Sequence, residues 1–472
     1  MIALALAAAA GLAAGQGLSN PEVLQPVFAK LAKARAAGKG QPVHILQIGD
    51  SHSAGDMISG AWREALQARY GSGGRGVQPP GRPFDGYLTR GITASMSPNW
   101  TIASDFGKTW GGGGTPLGLS AFSLTSQVDG ATMGLDADAG EQFDRFVVCG
   151  LTAPRAGATI VHLGDQTERL SWTSPTARPE CRTLRATGPQ SHVDLVTEGG
   201  PVTLTSWATF ADKGGVAVSN LGVVGSQLIH FGRTDDQVLA EELRTYDPDL
   251  IVLAFGTNEG FSPRLSPFEY EAILRSQIAR IRRLAGNVPI LLWGAPDALT
   301  RRSDLLDNAP GGDSGPCRAD GQAAPTPPVV ADASAGDGLG AAMARLGTFL
   351  GVTSAGETST PAPKPAAPNY PPGAVVQPLP VRSAADEAGR NPLFPPAGLS
   401  VVRGIQKRVA AQLHVAYWDW GGRMGRCTAM SWARTSPPLM RSDYVHYTKL
   451  GGQEVASRLM ADLDRAMSGA GR

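Results

Sequence analysis

The stretch that decides the fold is His44-Ile45-Leu46-Gln47-Ile48-Gly49-Asp50-Ser51-His52. Its first five residues form a short, mostly apolar run that is typical of a strand. The next apolar residues recur at the spacing of one helix face, at Ile58, Ala61, Trp62, Ala65 and Leu66. The sequence therefore predicts a strand, a tight turn that carries Ser51, and an amphipathic helix.

Strands and helices continue to alternate further along the chain. Residues 250–255 form an unbroken apolar run, which is typical of a strand that is buried on both faces. The elements predicted after it are a helix from about Pro267, a strand at 288–293, a helix at 399–409, a strand at 414–418 and a closing helix at 450–467. This alternation favours an α/β fold built on a mostly parallel sheet in three layers.

Two stretches interrupt the α/β pattern. Residues 87–217 contain short strand-like segments broken by turns, which predicts an all-β module of the sandwich or jelly-roll kind. Residues 301–396 are rich in Pro, Ala and Gly, as expected of a long surface insert. The predicted organisation is a signal-like segment at 1–17, an α/β domain in three parts at 18–86, 218–300 and 397–472, and the two inserts between those parts.

The N-terminal run from Ile2 to Ala14 is apolar and too short to span a bilayer. It resembles the core of a signal peptide, and small residues near Gly17 suit cleavage, although no Lys or Arg precedes the run. We therefore expect a periplasmic or secreted protein with no stable membrane span after processing.

The chain has four cysteines, at positions 149, 181, 317 and 427. Their even number and wide spacing suit two disulfides in an oxidising compartment, and the alternative is four buried thiols in a cytosolic protein. We expect Cys149 to pair with Cys181, because both fall in the β module, which leaves Cys317 to pair with Cys427. No Cys-x-x-Cys occurs, and the histidines outside the motifs lack metal-ligand spacing, so no metal is expected.

The balance of basic and acidic residues limits the kind of molecule that the protein is expected to bind. Over 472 residues, 42 basic residues stand against 41 acidic ones. Nothing in this balance favours nucleic acid or an anionic membrane, and a neutral substrate fits better. The oligomeric state stays open.

Ser51 and the later motif Asp443-Tyr444-Val445-His446 together suggest nucleophilic catalysis. A serine hydroxyl is a weak nucleophile and needs a base, and an imidazole oriented by a carboxylate is such a base. The spacing Asp-x-x-His lets Asp443 hold one nitrogen of His446 while the other faces Ser51. The simpler alternative is an Asp-Ser turn that only caps a helix.

Two further residues are candidate donors to an oxyanion, together with the backbone N–H of Ser51. Asn258 follows the buried strand at 250–255, so its amide can project at the carboxyl end of the sheet. Gly225 offers a backbone N–H that substrate can approach closely. Taken singly, these are also common as a turn Asn and a helix-entry Gly.

The four blocks resemble those of the SGNH hydrolase superfamily, also called GDSL esterases. The resemblance implies a flavodoxin-like α/β fold and assigns Ser51, Gly225, Asn258 and His446 to its four motifs, with Asp443 as the orienting acid. His52 and Glu259 depart from the usual pattern, in which an aliphatic residue follows the serine and Asp often follows the Asn.

Those departures, with Trp418-Asp419-Trp420, Met424-Gly425, Cys427 and the motif at 443–448, look like bacterial peptidoglycan O-acetylesterases, which are similar also in carrying an inserted β-rich module. The resemblance implies a serine esterase that deacetylates peptidoglycan through an acetyl-enzyme on Ser51, without a cofactor. Its partner would be O-acetylated peptidoglycan or another acetylated polysaccharide. The alternatives are a xylan-type acetylesterase, an O-acetyltransferase, and a non-catalytic protein that binds cell-wall glycan.

Three residues are candidate substrate contacts. His52 either lines the pocket or caps the turn, and Glu259 follows the proposed oxyanion donor Asn258. Trp418 belongs to an aromatic cluster that either faces sugar or packs in the core.

Overall fold

A computed structural model of the chain describes residues 17–37, 40–84, 87, 89–111, 114–305, 315–317 and 392–469. The predicted signal-like segment up to residue 16, and residues 306–314 and 318–391 of the predicted Pro-rich insert, lie outside these ranges. Among the helices that the structure describes, none is both long and apolar enough to cross a membrane.

The strands, in chain order, are β1 (Leu18–Ser19), β2 (Val43–Gly49), β3 (Gly76–Gln78), β4 (Ile92–Met96), β5 (Thr101–Ser104), β6 (Phe122–Ser126), β7 (Thr132–Ala137), β8 (Phe143–Thr152), β9 (Ala158–Leu163), β10 (Gln166–Ser171), β11 (Arg178–Gln190), β12 (His192–Glu198), β13 (Val202–Phe210), β14 (Val216–Gly222), β15 (Leu250–Ala254), β16 (Ile290–Trp293) and β17 (Ala416–Trp418). The α-helices are Gln25–Ala37, Ser51–Ala54, Ile58–Tyr70, Leu228–Phe231, Asp236–Tyr246, Thr257–Gly260, Pro267–Ala285, Ala397–Leu413, Trp420–Met424, Thr428–Ala433 and Lys449–Gly469. Short 3-10 helices lie at Pro21–Leu24 and Ser303–Leu305.

One sheet has six strands in the order β1-β17-β16-β15-β2-β14. Its neighbouring strands run parallel, except for the edge strand β1, which is antiparallel to β17. The predicted strand at 44–48 is confirmed as part of β2, and the apolar run at 250–255 is confirmed as β15 and the residue after it. The parallel sheet brings the carboxyl ends of β2, β14 and β15 side by side.

Each central strand of this sheet is buried on both faces. Successive side chains of a strand point in opposite directions, so the two faces pack in different cores. In β15, Leu250 and Val252 join one hydrophobic core, and Ile251 and Leu253 join another. The first core includes side chains from the helices that begin at Gln25, Ile58 and Lys449, and the second includes side chains from those that begin at Asp236, Pro267 and Ala397. The parallel sheet therefore has helices on both of its faces.

The remaining strands form two antiparallel sheets. One has the order β10-β9-β12-β7-β4 and the other the order β11-β8-β13-β6-β5, with β3 paired to β13. A third core draws side chains from both sheets, such as Leu135 and Val193 from the first and Phe146 and Leu204 from the second. The two sheets thus pack face to face. The limits of 87–217 stay a prediction for this module, and β3 lies outside them.

Both predicted disulfides are confirmed. Cys149 on β8 pairs with Cys181 on the neighbouring strand β11. Cys317 pairs with Cys427, 110 residues later in the chain. The second bond ties the described start of the insert to the segment before the helix Thr428–Ala433.

A buried carboxylate joins the antiparallel sheets to the α/β layers. Glu242, on the helix Asp236–Tyr246, accepts hydrogen bonds from Thr205 Oγ1 at 2.6 Å, Ser206 Oγ at 2.5 Å and the backbone N–H of Leu119 at 2.6 Å. Burial raises the pKa of Glu242 above its ordinary value, against the effect of these donors. A buried polar group with satisfied bonds fixes the geometry of the elements that it connects.

Candidate active site

Ser51 lies in the turn that follows β2. It is the first residue of the short helix Ser51–Ala54, and Asp50 caps that helix by accepting a hydrogen bond from the backbone N–H of His52 at 2.9 Å. Gly49 must lack a side chain, since a Cβ there would collide with the Ala254 carbonyl oxygen. The tight turn places the Ser51 backbone N–H at the positive end of the helix.

The structure brings Asp443, His446 and Ser51 together. His446 Nε2 lies 2.9 Å from Ser51 Oγ, and His446 Nδ1 lies 2.9 Å from Asp443 Oδ2. The other carboxylate oxygen of Asp443 accepts the backbone N–H groups of Val445 and His446, each at 2.9 Å. The carboxylate of Asp443 therefore holds the backbone of its own motif and also fixes the imidazole of His446. This geometry suits transfer of the serine proton to His446 Nε2.

The pKa values of His446 and Asp443 are both lowered from their ordinary values. Burial lowers the pKa of His446 below its ordinary 6.5, and the nearby charge of His52 lowers it further, against the effect of the hydrogen bond that His446 donates to Asp443. Burial alone would raise the pKa of Asp443, but its bonds to His446 and the local backbone outweigh burial and lower it. His446 is therefore neutral at neutral pH, as a general base must be, while Asp443 is ionised.

His52 belongs to a second Asp–His pair beside the first. Its Nδ1 lies 3.2 Å from Asp50 Oδ1, and its Nε2 lies 3.0 Å from the carbonyl oxygen of Val445. Its ring packs edge-on against Trp420, with ring centroids 5.4 Å apart, and also lines the pocket at Ser51. Both ring nitrogens already have protein partners, so His52 holds the loop before His446.

The two candidate oxyanion donors lie on adjacent segments. The side-chain amide of Asn258 donates to the carbonyl oxygen of Ser226 at 2.9 Å, and Gln227 Nε2 donates to the Asn258 carbonyl at 3.2 Å. Gly225, next to Ser226, has a φ of 79°, in the left-handed region that favours glycine. An amide has two donor hydrogens, so Asn258 can serve a second acceptor.

Glu259 does not face the pocket, which corrects its prediction as a substrate contact. The side chain is buried, and its Oε1 accepts the backbone N–H of Leu228 at 2.8 Å. Burial raises the pKa of Glu259 to about 7. The residue anchors the helix Leu228–Phe231 to the turn after β15, a role that depends on packing between distant segments.

Trp418 is also wrong as a candidate substrate contact. Its exposed fraction is 0%, and its indole N–H donates to Asp462 Oδ2 at 2.9 Å. Its ring stacks on Trp420, with centroids 6.0 Å apart, so the aromatic cluster packs in the core. The closing helix that carries Asp462 packs in the same hydrophobic core as Trp418.

The pocket at Ser51 is lined by Ser51, His52, Gly55, Met57, Ile58, Arg441, His446 and Tyr447. No pattern in the sequence indicated Arg441 or Met57 as a pocket residue. The backbone N–H of Arg441 donates to the His446 carbonyl at 2.8 Å, which holds the base from its other side. The position of Arg441 close to the Asp443 motif is the one sequence feature that points to it.

A buried hydrogen-bond network lies behind the turn, and no pattern in the sequence indicated it. Arg75 is 0% exposed and bonds to Asp56, to the side-chain oxygen of Asn220 and to the backbone of β14. Asn220 in turn donates to the carbonyl oxygen of Ser53 at 2.8 Å. These bonds attach the Ser51 turn to β14, the strand that leads to Gly225.

In the part of the chain that the structure describes, no group of three or more His, Cys, Asp or Glu side chains is arranged to hold a metal ion.

The chain is similar in fold to a solved structure, although it matches no family model. No family model matches the chain, and no curated protein matches it. A solved structure of a peptidoglycan O-acetylesterase is 20% identical, with a TM-score of 0.66, and the match covers 96% of this chain and 99% of that chain. The resemblance drawn from the sequence is thereby confirmed at the level of the fold.

Two other solved structures match over a smaller part of the chain. A putative GDSL-like lipase from Parabacteroides merdae is 12% identical with a TM-score of 0.26, covering 53% of this chain and 73% of that chain. A family two carbohydrate esterase from Cellvibrio japonicus is 13% identical with a TM-score of 0.16, covering 43% of this chain and 79% of that chain. Superpositions this weak support no argument about function.

Proposed function

We propose that the protein is a serine esterase that removes O-acetyl groups from the glycan chains of peptidoglycan. The observation that carries the proposal is the hydrogen-bonded chain from Ser51 Oγ through His446 to Asp443, with both bonds at 2.9 Å. The whole-chain likeness in fold to a peptidoglycan O-acetylesterase supports the substrate. In this interpretation, a flavodoxin-like hydrolase domain is interrupted by the β-sandwich module.

The first half of the proposed reaction acylates Ser51. His446 Nε2 takes the hydroxyl proton as Ser51 Oγ attacks the acetyl carbonyl carbon. The negative charge on the carbonyl oxygen is held by the N–H groups of Ser51 and Gly225 and by the amide of Asn258. When the ester C–O bond breaks, His446 returns the proton to the sugar oxygen, which leaves as a hydroxyl group.

The second half releases acetate. Water replaces the sugar, and His446 removes a proton from it as its oxygen attacks the acetyl-Ser51 carbonyl. The same donors hold the second oxyanion, and the proton then returns to Ser51 Oγ as the acyl bond breaks. Asp443 keeps the imidazole in the tautomer that both halves need and stabilises the imidazolium. The residues named here suffice for this chemistry without a cofactor.

A periplasmic or secreted location belongs to the same proposal. The two disulfides support it, because such bonds persist in oxidising compartments. O-acetylated peptidoglycan is found outside the cytoplasm, so substrate and enzyme would meet there. The near-neutral charge of the chain also suits a substrate group that is an uncharged ester.

Release of acetate from O-acetylated peptidoglycan, compared with acetylated xylan, tests the proposal. We expect faster release from peptidoglycan and loss of release in Ser51→Ala. Ser53→Ala is the matched control, because Ser53 lies in the same turn but its hydroxyl accepts from Gln47 at 3.0 Å. Equal or faster release from xylan would replace peptidoglycan with a wider class of polysaccharide, and full activity in Ser51→Ala would refute the nucleophile.

A further inference from the structure

A loop of the antiparallel sheets packs against the segment that leads from Gly225 to the helix Asp236–Tyr246. The ring of Phe106 stacks on His230, with centroids 4.3 Å apart and an angle of 14° between the planes. Four residues later, the ring of Trp110 lies against the guanidinium of Arg233, 4.6 Å from the ring centroid. Two aromatic contacts therefore attach this loop beside the candidate active site.

Hydrogen bonds fix the loop in this position. Ser104 Oγ donates to the carbonyl oxygen of Phe106 at 2.7 Å and lies 2.7 Å from Thr109 Oγ1. The backbone N–H of Trp110 donates to Gly107 at 3.2 Å. Arg233 reaches across and donates to the carbonyl oxygen of Asp105 at 2.7 Å. The position of Trp110 is thus set by both the loop and the segment that it contacts.

The segment below Trp110 is continuous with the oxyanion side of the site. His230 accepts the backbone N–H of Gln227 at 3.0 Å, and Ser226, one residue earlier, accepts the amide of Asn258. This segment follows β14, so it lies at the carboxyl edge of the parallel sheet, where Ser51 and Asn258 follow β2 and β15. Through its contact with Arg233, Trp110 is attached to the segment that leads away from this edge of the sheet.

The exposure of Trp110 sets it apart. Its exposed fraction is 57%, whereas Trp62, Trp172, Trp207 and Trp418 are almost fully buried. A large aromatic side chain that is fixed in place and exposed presents an apolar face that a ligand can contact. Arg233 contacts the indole, and more than half of the Trp110 surface remains exposed to solvent.

We propose that Trp110 is a binding platform for a pyranose ring of the same glycan chain whose acetyl group reaches Ser51. This inference rests on the proposed function. A pyranose has an apolar C–H face, which suits the indole, and a rim of hydroxyl groups, which suits polar neighbours such as Lys108 and Arg233. A protein partner would need a broader apolar surface than one ring offers.

The ratio of kcat/KM on soluble O-acetylated peptidoglycan fragments to kcat/KM on p-nitrophenyl acetate tests the platform. The small ester cannot reach beyond the Ser51 pocket, so loss of a distant sugar contact lowers this ratio. For Trp110→Ala we expect a fall of about tenfold, mainly through a higher KM for the fragments. Trp110→Tyr keeps an aromatic face and should restore most of the ratio.

Val128→Ala is the matched control. Val128 is 43% exposed in the same antiparallel sheets, but it lies past the end of β6, while the start of β6 is near Leu119 and its bond to Glu242. Ser104, which precedes the Trp110 loop, pairs with Phe122 at the start of β6, whereas Val128 lies beyond the other end of that strand. We expect an unchanged ratio in this variant.

Cosedimentation with insoluble peptidoglycan separates this inference from the proposed function, since binding needs no turnover. We expect Trp110→Ala to bind about tenfold more weakly than the wild-type protein and Val128→Ala to bind equally well. A ratio or a binding strength in Trp110→Ala that equals the wild-type value would overturn the platform, even if the esterase activity is real. Absence of binding by the wild-type protein would also overturn it. A wild-type protein that binds through Trp110 but releases no acetate would refute the esterase and leave the platform standing.

Discussion

Two Asp–His pairs lie side by side at the candidate site, and they differ in what the outer nitrogen of each histidine meets. His446 is paired with Asp443 and presents Nε2 to the hydroxyl of Ser51, whereas His52 is paired with Asp50 and presents Nε2 to the carbonyl oxygen of Val445. The two rings are 5.4 Å apart. Similar residue types in one small volume thus have different environments.

The partner of Nε2 decides what each pair can do. A hydroxyl can donate its proton, so His446 can stay neutral and accept it. A carbonyl oxygen only accepts, so His52 must carry a proton on Nε2, and the carboxylate of Asp50 favours a second proton on Nδ1. Although burial alone would lower the pKa of His52, the charge and hydrogen bond of Asp50 outweigh burial and raise it above 6.5. The first pair can act as a base, whereas the second favours the protonated form of its histidine.

The two pairs respond to pH in opposite ways. The raised pKa of His52 contributes stability that is fully present below 6.5 and is lost as pH rises through the folded-state pKa. The lowered pKa of His446 contributes stability that is present above 6.5 and is lost as pH falls through its folded-state pKa. Because the base must be neutral, we expect the acid limb of the kcat/KM profile to lie below pH 6.5.

The largest expected effect is the loss of the first pair's histidine. His446→Ala should lower kcat on acetyl esters by on the order of 10⁶-fold, because the base and nucleophile act as a unit. Esterase assays on a soluble acetyl ester measure this loss. His192→Ala is the control, since His192 on β12 pairs with the exposed Asp136 on the neighbouring strand β7. If His446→Ala kept most of the activity while His52→Ala lost it, the two pairs would have to exchange roles.

The acid of the first pair should matter next. Asp443→Asn is expected to lower kcat by about 10⁴-fold at neutral pH with little change in KM, because the amide favours the wrong imidazole tautomer. Steady-state kinetics with circular dichroism as a folding check measure both quantities. A large rise in KM at unchanged kcat would place Asp443 in substrate binding.

Asn258 lies outside both pairs, so its replacement gives a reference for the effects of the two histidines. Asn258→Ala should lower kcat by about 10²-fold to 10³-fold, the usual loss for one oxyanion donor. Its pH–rate profile should keep the wild-type shape, because no titrating pair is altered. A shift of the acid limb in this variant would show that Asn258 acts through His446 rather than on the substrate.

The smallest expected effect isolates the charge of the second pair. His52→Gln removes a cation that lowers the pKa of His446, so the acid limb of kcat/KM should move to higher pH. The stability difference from the wild-type protein, measured by chemical denaturation, should shrink as pH rises through the pKa of His52. An acid limb that stays in place would mean that His52 is neutral in the folded protein.

The sequence alone predicts much of the α/β frame, because local patterns encode it. The helix predicted from about Pro267 is confirmed, since it begins at that residue. The disulfide pairs are also confirmed, since shared location in the sequence was sufficient to select them. The proposed triad lies together in space, as the joint occurrence of its motifs suggested.

Long-range packing explains what the sequence did not reveal. Whether Trp418 meets a sugar depends on the helix Lys449–Gly469, whose Asp462 takes its indole N–H. The exposure of Trp110 becomes significant only because Arg233, far away in sequence, lies against it. The residue type of His52 fits either a pocket or a cap, and only the contact with the Val445 carbonyl separates it from His446.

Covalent labelling tests the central claim most directly, namely that the Asp443–His446 pair activates Ser51. The protein would be treated with phenylmethylsulfonyl fluoride and the modified peptide identified by mass spectrometry. We predict one adduct on Ser51, formed in step with loss of esterase activity and strongly slowed in His446→Ala but not in His192→Ala. Loss of activity with the adduct on another residue, or equally fast labelling of Ser51 in His446→Ala, would contradict the account.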